Sequence, residues 1–221
     1  MIELAETIVS RDVHIPPHGL AGTLNIPRDP FALIVFVHGS GSSRLSPRNV
    51  AVAKALNQAG MATLLFDLLH AREEPERDRA KVFDIPLLSD RLLQTIAWLD
   101  GDPQLKELPL GLFGASTGAA AALVAAAELG PRVGAVVSRG GRPDLAGASL
   151  RFVKAPALLI VGGDDTDVLE LNRHAYEHLS YPKLLEIVPR ATHLFPEPGA
   201  MERVTQLATS WFEHHLKRGQ L

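Results

Sequence analysis

The chain has no cysteine. That absence removes disulfides, thiolate metal sites and a cysteine nucleophile together. A basic excess is also missing: 22 Lys and Arg stand against 25 Asp and Glu, a formal net charge of −3 with a pI near 6.3. Such a balance points to neither nucleic acid nor an anionic membrane as partner. No long apolar run is present, and the longest, residues 119–127, is too short to span a bilayer. The N-terminus has no signal-peptide core, because Glu3, Glu6, Arg11 and Asp12 interrupt its apolar residues. Internal repeats and low-complexity linkers are lacking as well. What remains is 221 residues, 46% hydrophobic and 21% charged. That composition suits one globular domain, 1–221, with a sizeable core, soluble and expected in the cytoplasm.

Strand and helix patterns alternate along the chain. Residues 7–15 and 19–26 read as an opening hairpin, turned at Pro16-Pro17-His18-Gly19. Continuous apolar runs at 32–37, 61–66, 108–113, 133–138 and 157–161 read as buried strands, with a last strand at 183–188. Helical spacing is predicted over 47–59, 86–100, 117–129, 168–179 and 199–216. The mixed-charge stretch 71–81 reads as a solvated loop. Apolar strands separated by helices imply an α/β fold, a mostly parallel sheet covered on both faces.

Gly114-Ala115-Ser116-Thr117-Gly118 is a G-x-S-x-G sequence set between a strand pattern and an alanine-rich helix pattern. A serine at a sharp strand-to-helix turn cannot bury its hydroxyl, and the helix N-terminus sets free N–H groups beside it. A serine hydroxyl also needs a general base, and the base needs an orienting carboxylate. In a parallel sheet those groups are expected just past strand C-termini. Asp164, Asp165 and Asp167 follow one later strand, and His193 follows the last. The order serine, aspartate, histidine is the one this strand-turn-helix context requires. Asp165 is the favoured acid and Asp164 its rival, while another acid of this loop could cap the following helix.

A tetrahedral intermediate needs two donors for its oxyanion. The Thr117 backbone N–H is one candidate. The other is the Ser40 N–H, in the loop His38-Gly39-Ser40-Gly41 after the strand at 32–37. A nucleotide-binding loop is excluded there, because the third glycine and a Gly-Lys-Ser/Thr are missing. His38 fits a structural hydrogen-bonder steadying that loop. His174 and His178 are four apart, but Ala175 replaces the glutamate of the zinc-protease pattern, so no metal is expected. His214 and His215 stand in the last turn of the last helix, where a cation is favoured. His70 is a candidate for lining the cleft. Arg44, Arg48, Arg139 and Arg142 lie in loops near the active edge, where they could hold a substrate carboxylate.

These motifs resemble the α/β-hydrolase superfamily, and within it the dienelactone-hydrolase-related branch. The resemblance rests on Phe36-Val37-His38-Gly39-Ser40-Gly41-Ser42, Gly114-Ala115-Ser116-Thr117-Gly118, Gly162-Gly163-Asp164-Asp165, Ala191-Thr192-His193-Leu194-Phe195 and the closing Trp211-Phe212 helix. It implies an eight-stranded, mostly parallel sheet with the second strand antiparallel. It also implies a nucleophile at Ser116, an acid at Asp165 and a base at His193. Dienelactone hydrolases carry cysteine at the nucleophile position, so dienelactone is not carried over as substrate. A lid would enter after the strand at 133–138, and the 18 residues 139–156 are too few for a helical cap.

The expected function is a serine esterase acting through an acyl-enzyme on small or medium acyl esters, with water as co-substrate and no cofactor. Two rivals stand beside it. One keeps the triad for a lactone, thioester or amide. The other is a non-catalytic binding protein on the same scaffold.

Overall fold

The computed structural model describes residues 8–70, 73, 80–180 and 182–217. Eight strands form one sheet in the order β1-β2-β4-β3-β5-β6-β7-β8. The strands are β1 (Val9–Ile15), β2 (Leu20–Ile26), β3 (Ala32–Val37), β4 (Met61–Phe66), β5 (Leu110–Ala115), β6 (Val133–Arg139), β7 (Ala157–Gly162) and β8 (Lys183–Val188). β2 runs antiparallel to both β1 and β4, and every pairing from β4 to β8 is parallel. The sheet is the eight-stranded, mostly parallel one implied by the motifs.

Burial explains the strand patterns. β3, β4, β5 and β7 are buried at every position, as strands covered on both faces must be. β2 alternates buried and half-buried residues and β1 is largely exposed, because they form one edge. The helices are α1 (Pro47–Gln58), α2 (Ile85–Leu99), α3 (Thr117–Leu129), α4 (Thr166–His178) and α5 (Ala200–Leu216). One core joins the sheet to α2 and α3 through Leu88, Leu92, Ile96, Leu112 and Leu123. A second core joins its other face to α1 and α5 through Phe36, Phe113, Val52, Val204 and Phe212.

Several boundaries differ from expectation, and three of them have a visible structural reason or consequence. The fifth strand spans 110–115 rather than 108–113, since Gly114 and Ala115 still pair with Val37, Ser138 and Arg139. The strand therefore reaches Ala115, and the chain reverses at Ser116 itself. α2 starts at Ile85, where Asp84 accepts a hydrogen bond from the Leu87 N–H (3.0 Å) and caps the helix. α4 starts at Thr166, not Val168, so Asp165 is its N-cap residue. Between β6 and β7 lies a 3-10 segment, Pro143–Phe152, kinked at Gly147; no helical cap is built there. Of the polar loop expected at 71–81, residues 71, 72 and 74–79 lie outside the described set, as does residue 7 of the expected first strand. Among the described residues no helix is long and apolar enough to cross a membrane.

Candidate active site

The C-terminal ends of the parallel strands gather the site. Ser116 stands between Ala115, the last residue of β5, and Thr117, the first of α3. Its backbone takes φ 50° and ψ −125°, a region L-residues rarely enter. Holding it there costs about 1–3 kcal/mol, which the surroundings must offset. They do so with hydrogen bonds. The Ser116 N–H donates to Arg139 O (3.3 Å), and Ser116 O accepts from the Ala119 N–H (3.1 Å) and the Arg142 N–H (3.0 Å). Close packing completes the turn: a Cβ on Gly118 would stand 2.1 Å from Val37 O, so α3 can lie against the end of β3 only with glycine there. Ser116 is half-buried, and its Oγ makes no hydrogen bond among the described residues.

His193 lies in the loop after β8. Arg190 and Phe195 on either side of it have positive φ, and Phe195 is sunk in the core. That anchor fixes the bend from which the imidazole projects. His193 Nδ1 lies 2.7 Å from Asp165 Oδ2, the carboxylate being 14% exposed and the imidazole 38%. Asp164 and Asp167 are exposed. The Asp164 backbone N–H is bonded to Ala191 O (3.0 Å), which ties the acid loop to the histidine loop. Of the two candidate acids, the structure brings Asp165 to the imidazole. Gly140, next to the Arg139 that holds Ser116, packs against His193: a Cβ there would stand 2.9 Å from His193 O and 3.7 Å from Nδ1. Serine and histidine thus flank the same dipeptide at the end of β6.

The loop after β3 forms the third wall. A Cβ on Gly39 would stand 2.7 Å from Ser116 Cβ and 3.4 Å from its Oγ. His38 is buried; its Nδ1 donates to Gly39 O (2.9 Å), and its Nε2 accepts from the Leu68 N–H (2.9 Å). With one ring nitrogen donating and the other accepting, this histidine is neutral and structural. The Ser40 N–H donates to Thr117 Oγ1 at 3.0 Å. The two residues expected to hold an oxyanion are therefore adjacent, but in this state the amide of one is engaged by the hydroxyl of the other. Sequence alone offered no sign of that contact.

The arginines divide into two groups. Arg44 binds Asp67 through its backbone N–H and its guanidinium. Arg142 grips Asp144 with Nε (2.9 Å) and Nη2 (2.8 Å), a pairing that raises its pKa. Arg139 and Arg48 have no carboxylate partner among the described residues. Burial, with repulsion from Arg48 second, lowers the Arg139 pKa from 12.5 to about 10. His70 is half-buried, and its backbone N–H donates to Glu73 Oε2 (3.0 Å); no contact joins its ring to Ser116, Asp165 or His193.

Other histidines behave differently from the serine-associated one. His174 and His178 are exposed, with their rings tilted against each other at 4.7 Å. No group of three metal-ligating side chains occurs among the described residues. At His215, in that last turn, burial, then His214, pushes the pKa below the usual histidine value. Its ring meets Trp211 edge-on at 4.3 Å.

Comparison with known proteins matches this architecture. Residues 20–216 match the model of the dienelactone hydrolase family. The crystal structure of a dienelactone hydrolase from Anabaena variabilis superposes with a TM-score of 0.91 at 52% identity, covering 96% of this chain and 99% of that one. Est1E from Butyrivibrio proteoclasticus shares the fold at 15% identity, with a TM-score of 0.77 over 93% of this chain and 98% of its own. A Mycobacterium tuberculosis protein named as a phosphoribosyl transferase is 58% identical over 200 residues, 90% of this chain. The match takes up 45% of that protein, so the chain spans about half the length of the curated relatives it matches. A sheet of this order and a family match from β2 to the end of α5 lead to one conclusion: the chain belongs to the dienelactone hydrolase family.

Proposed function

We propose that this chain is a serine hydrolase of carboxylic esters with small or medium acyl groups. The observation that carries the proposal is the 2.7 Å contact of His193 Nδ1 with Asp165 Oδ2 beside a serine at φ 50°. With Nδ1 donating to the carboxylate, Nε2 on the opposite side of the ring is left to accept a proton. Ser116 Oγ attacks the ester carbonyl carbon and gives its proton to Nε2. The carbonyl electrons move onto oxygen, and the Thr117 and Ser40 amides hold the resulting oxyanion. For Ser40 this means exchanging Thr117 Oγ1 for the oxyanion. Collapse breaks the bond to the leaving alkoxide, which takes the proton from Nε2. Water then attacks the acyl-serine with His193 again as base, releasing acid and free Ser116. Asp165 holds the tautomer and stabilises the transient imidazolium. The step requires Ser116 Oγ and His193 Nε2 to come into hydrogen-bond reach around the substrate, where such catalytic contacts tighten.

The dienelactone hydrolase family and the esterase fold neighbours support hydrolysis. The transferase named for the mycobacterial relatives is a whole protein of which the match takes up 45%, and that activity is not carried over to this chain. The direct test is Ser116→Ala. This variant should lose hydrolysis of a short p-nitrophenyl ester and labelling by a fluorophosphonate while keeping the wild-type circular dichroism spectrum. Undiminished turnover in the variant would refute the assignment, and failure of the wild type to label would favour a binding protein.

A further inference from the structure

Thr117, the residue after the proposed nucleophile, carries a hydroxyl whose proton has nowhere to go. The residue is 2% exposed. Its Oγ1 accepts the Ser40 N–H at 3.0 Å and makes no other hydrogen bond among the described residues. A hydroxyl has two acceptor positions and one donor, and here the donor is unused. The buried threonines elsewhere are satisfied as donors. Thr95 Oγ1 donates to Arg91 O at 2.8 Å, and Thr63 Oγ1 donates to Asn57 Oδ1 at 3.4 Å. Thr95 uses the carbonyl four residues back in its own helix. Thr117 opens α3, so the residue four back, Phe113, belongs to β5 rather than to a helical turn.

Packing holds this hydroxyl beside the place where charge develops. Two glycines press the loop after β3 onto the nucleophile turn. A Cβ on Gly39 would stand 2.7 Å from Ser116 Cβ, and one on Gly118 would stand 2.5 Å from His38 O. His38 fastens the same loop from its other side, through Gly39 O and the Leu68 N–H. The Thr117 N–H, at the start of α3, has no helical carbonyl to reach. An oxygen that accepts from both the Ser40 and the Thr117 amides must lie next to Oγ1. The reason is that Oγ1 already sits within bonding distance of the Ser40 nitrogen and belongs to Thr117 itself. A buried O–H without an acceptor costs free energy, and an oxygen gaining negative charge is the strongest acceptor that can be offered to it.

We infer that the Thr117 side chain is a catalytic residue: its hydroxyl is a third donor to the oxyanion, beside the Ser40 and Thr117 amides. The inference rests on the reading of Ser116 as an esterase nucleophile. In the free enzyme Oγ1 takes the Ser40 N–H and keeps that amide turned toward the hole. When Ser116 Oγ bonds to the carbonyl carbon, the π electrons move onto the carbonyl oxygen. The Ser40 N–H then turns from Oγ1 to that oxygen, and the Thr117 O–H donates to it. Thr117 keeps its proton throughout, while the Ser116 proton passes to His193 Nε2. Collapse of the intermediate restores the C=O bond, and Oγ1 takes back the Ser40 N–H. The added bond is strong only at the tetrahedral stage, so it acts on kcat more than on substrate binding.

The test is steady-state kinetics on p-nitrophenyl butyrate with Thr117→Val, which keeps the shape and removes the hydroxyl. Its kcat should fall about tenfold to a hundredfold, the effect of one hydrogen bond to a charged group, with KM within about threefold of wild type. Thr117→Ser, which keeps the hydroxyl, should restore most of the rate. Should Thr117→Val fail to fold, Thr117→Ala against Thr117→Ser gives the same comparison, since both lose the methyl and only alanine loses the hydroxyl. A second readout reports on the reacting atom. In O-(p-nitrophenyl) thionobutyrate a sulfur, a weak acceptor, replaces the carbonyl oxygen. The kcat/KM for the oxygen ester divided by that for the thiono ester should fall at least about fivefold when the hydroxyl is lost and hold in Thr117→Ser. A hydroxyl that served packing alone would leave this ratio unmoved. Labelling of wild-type protein by a fluorophosphonate separates the two proposals. A wild type that labels, with kcat unchanged or raised in Thr117→Val or with an unmoved ester ratio, overturns the third donor and leaves the nucleophile standing. A wild type that neither labels nor hydrolyses overturns both.

Discussion

At Ser116 the backbone conformation serves the proposed chemistry directly. A φ of 50° lifts the hydroxyl off the sheet edge, and three backbone hydrogen bonds hold it there. The carboxylate that meets the imidazole is chosen just as locally. Asp164 and Asp165 are neighbours in sequence, yet one is exposed and the other sits 2.7 Å from the imidazole. Asp165→Asn should therefore cost about 10³–10⁴ in kcat, because an amide at that position favours the wrong histidine tautomer. Asp164→Asn should stay within about threefold of wild type, as an exposed neighbour in high dielectric would. Steady-state kinetics on one short ester compares them, and the reverse ranking would hand the role to Asp164. The spacing of the motif made both aspartates visible in the sequence. Choosing between them needed the side-chain direction set by the turn into α4.

At the scale of elements, the loop after β4 is fastened to α2 by a pair that sequence patterning left unseen. Arg91 reaches Glu73 with two bonds of 2.9 Å and also donates to Leu68 O (2.7 Å). The arginine is 5% exposed and the carboxylate 16%. The Arg91 hydrogen bond lowers the Glu73 pKa from 4.5 to about 2, against the opposing pull of burial. A folded value below the unfolded one means stability fully present above pH 4.5 and lost as pH falls through about 2. Glu73→Gln should cost about 2–3 kcal/mol at neutral pH, between the values for exposed and buried pairs. Thermal melts in a pH series should show the gap between variant and wild type closing as acid is added. A gap that stays constant below pH 4.5 would mean the pair is not the cause. α2 itself was legible in the sequence, because Leu88, Leu92, Ile96 and Leu99 mark its buried stripe whatever Arg91 does.

For the whole molecule, one sheet edge does the assembling. β3, β5, β7 and β8 lead into the segments that carry Ser40, Ser116, Asp165 and His193, and β6 ends at the Arg139 whose carbonyl holds Ser116. Between β6 and β7 the chain builds a short 3-10 segment rather than a helical lid. An uncapped site does not need a lipid surface to open it. Turnover of a sparingly soluble ester should thus rise hyperbolically with concentration, with no jump where the ester begins to form an emulsion. A sharp activation at that point would reveal a moving cover over the site.

The sequence by itself determined the periodicities, and those carried most of the fold. Short apolar runs of about six residues between turn signals read as strands buried on both faces, the longer alanine-rich run read as a helix, and the glycines around Ser116 marked a tight turn. The order of serine, aspartate and histidine could also be read from the chain, because each follows a strand pattern. Tertiary structure alone decided which charges meet. Arg44 found Asp67, Arg91 found Glu73 and Arg142 found Asp144, while Arg139 and Arg48 have no carboxylate partner among the described residues. The physical reason is range. Local patterning acts over a few residues, whereas pairing and desolvation depend on what packing brings within a few ångströms from distant parts of the chain.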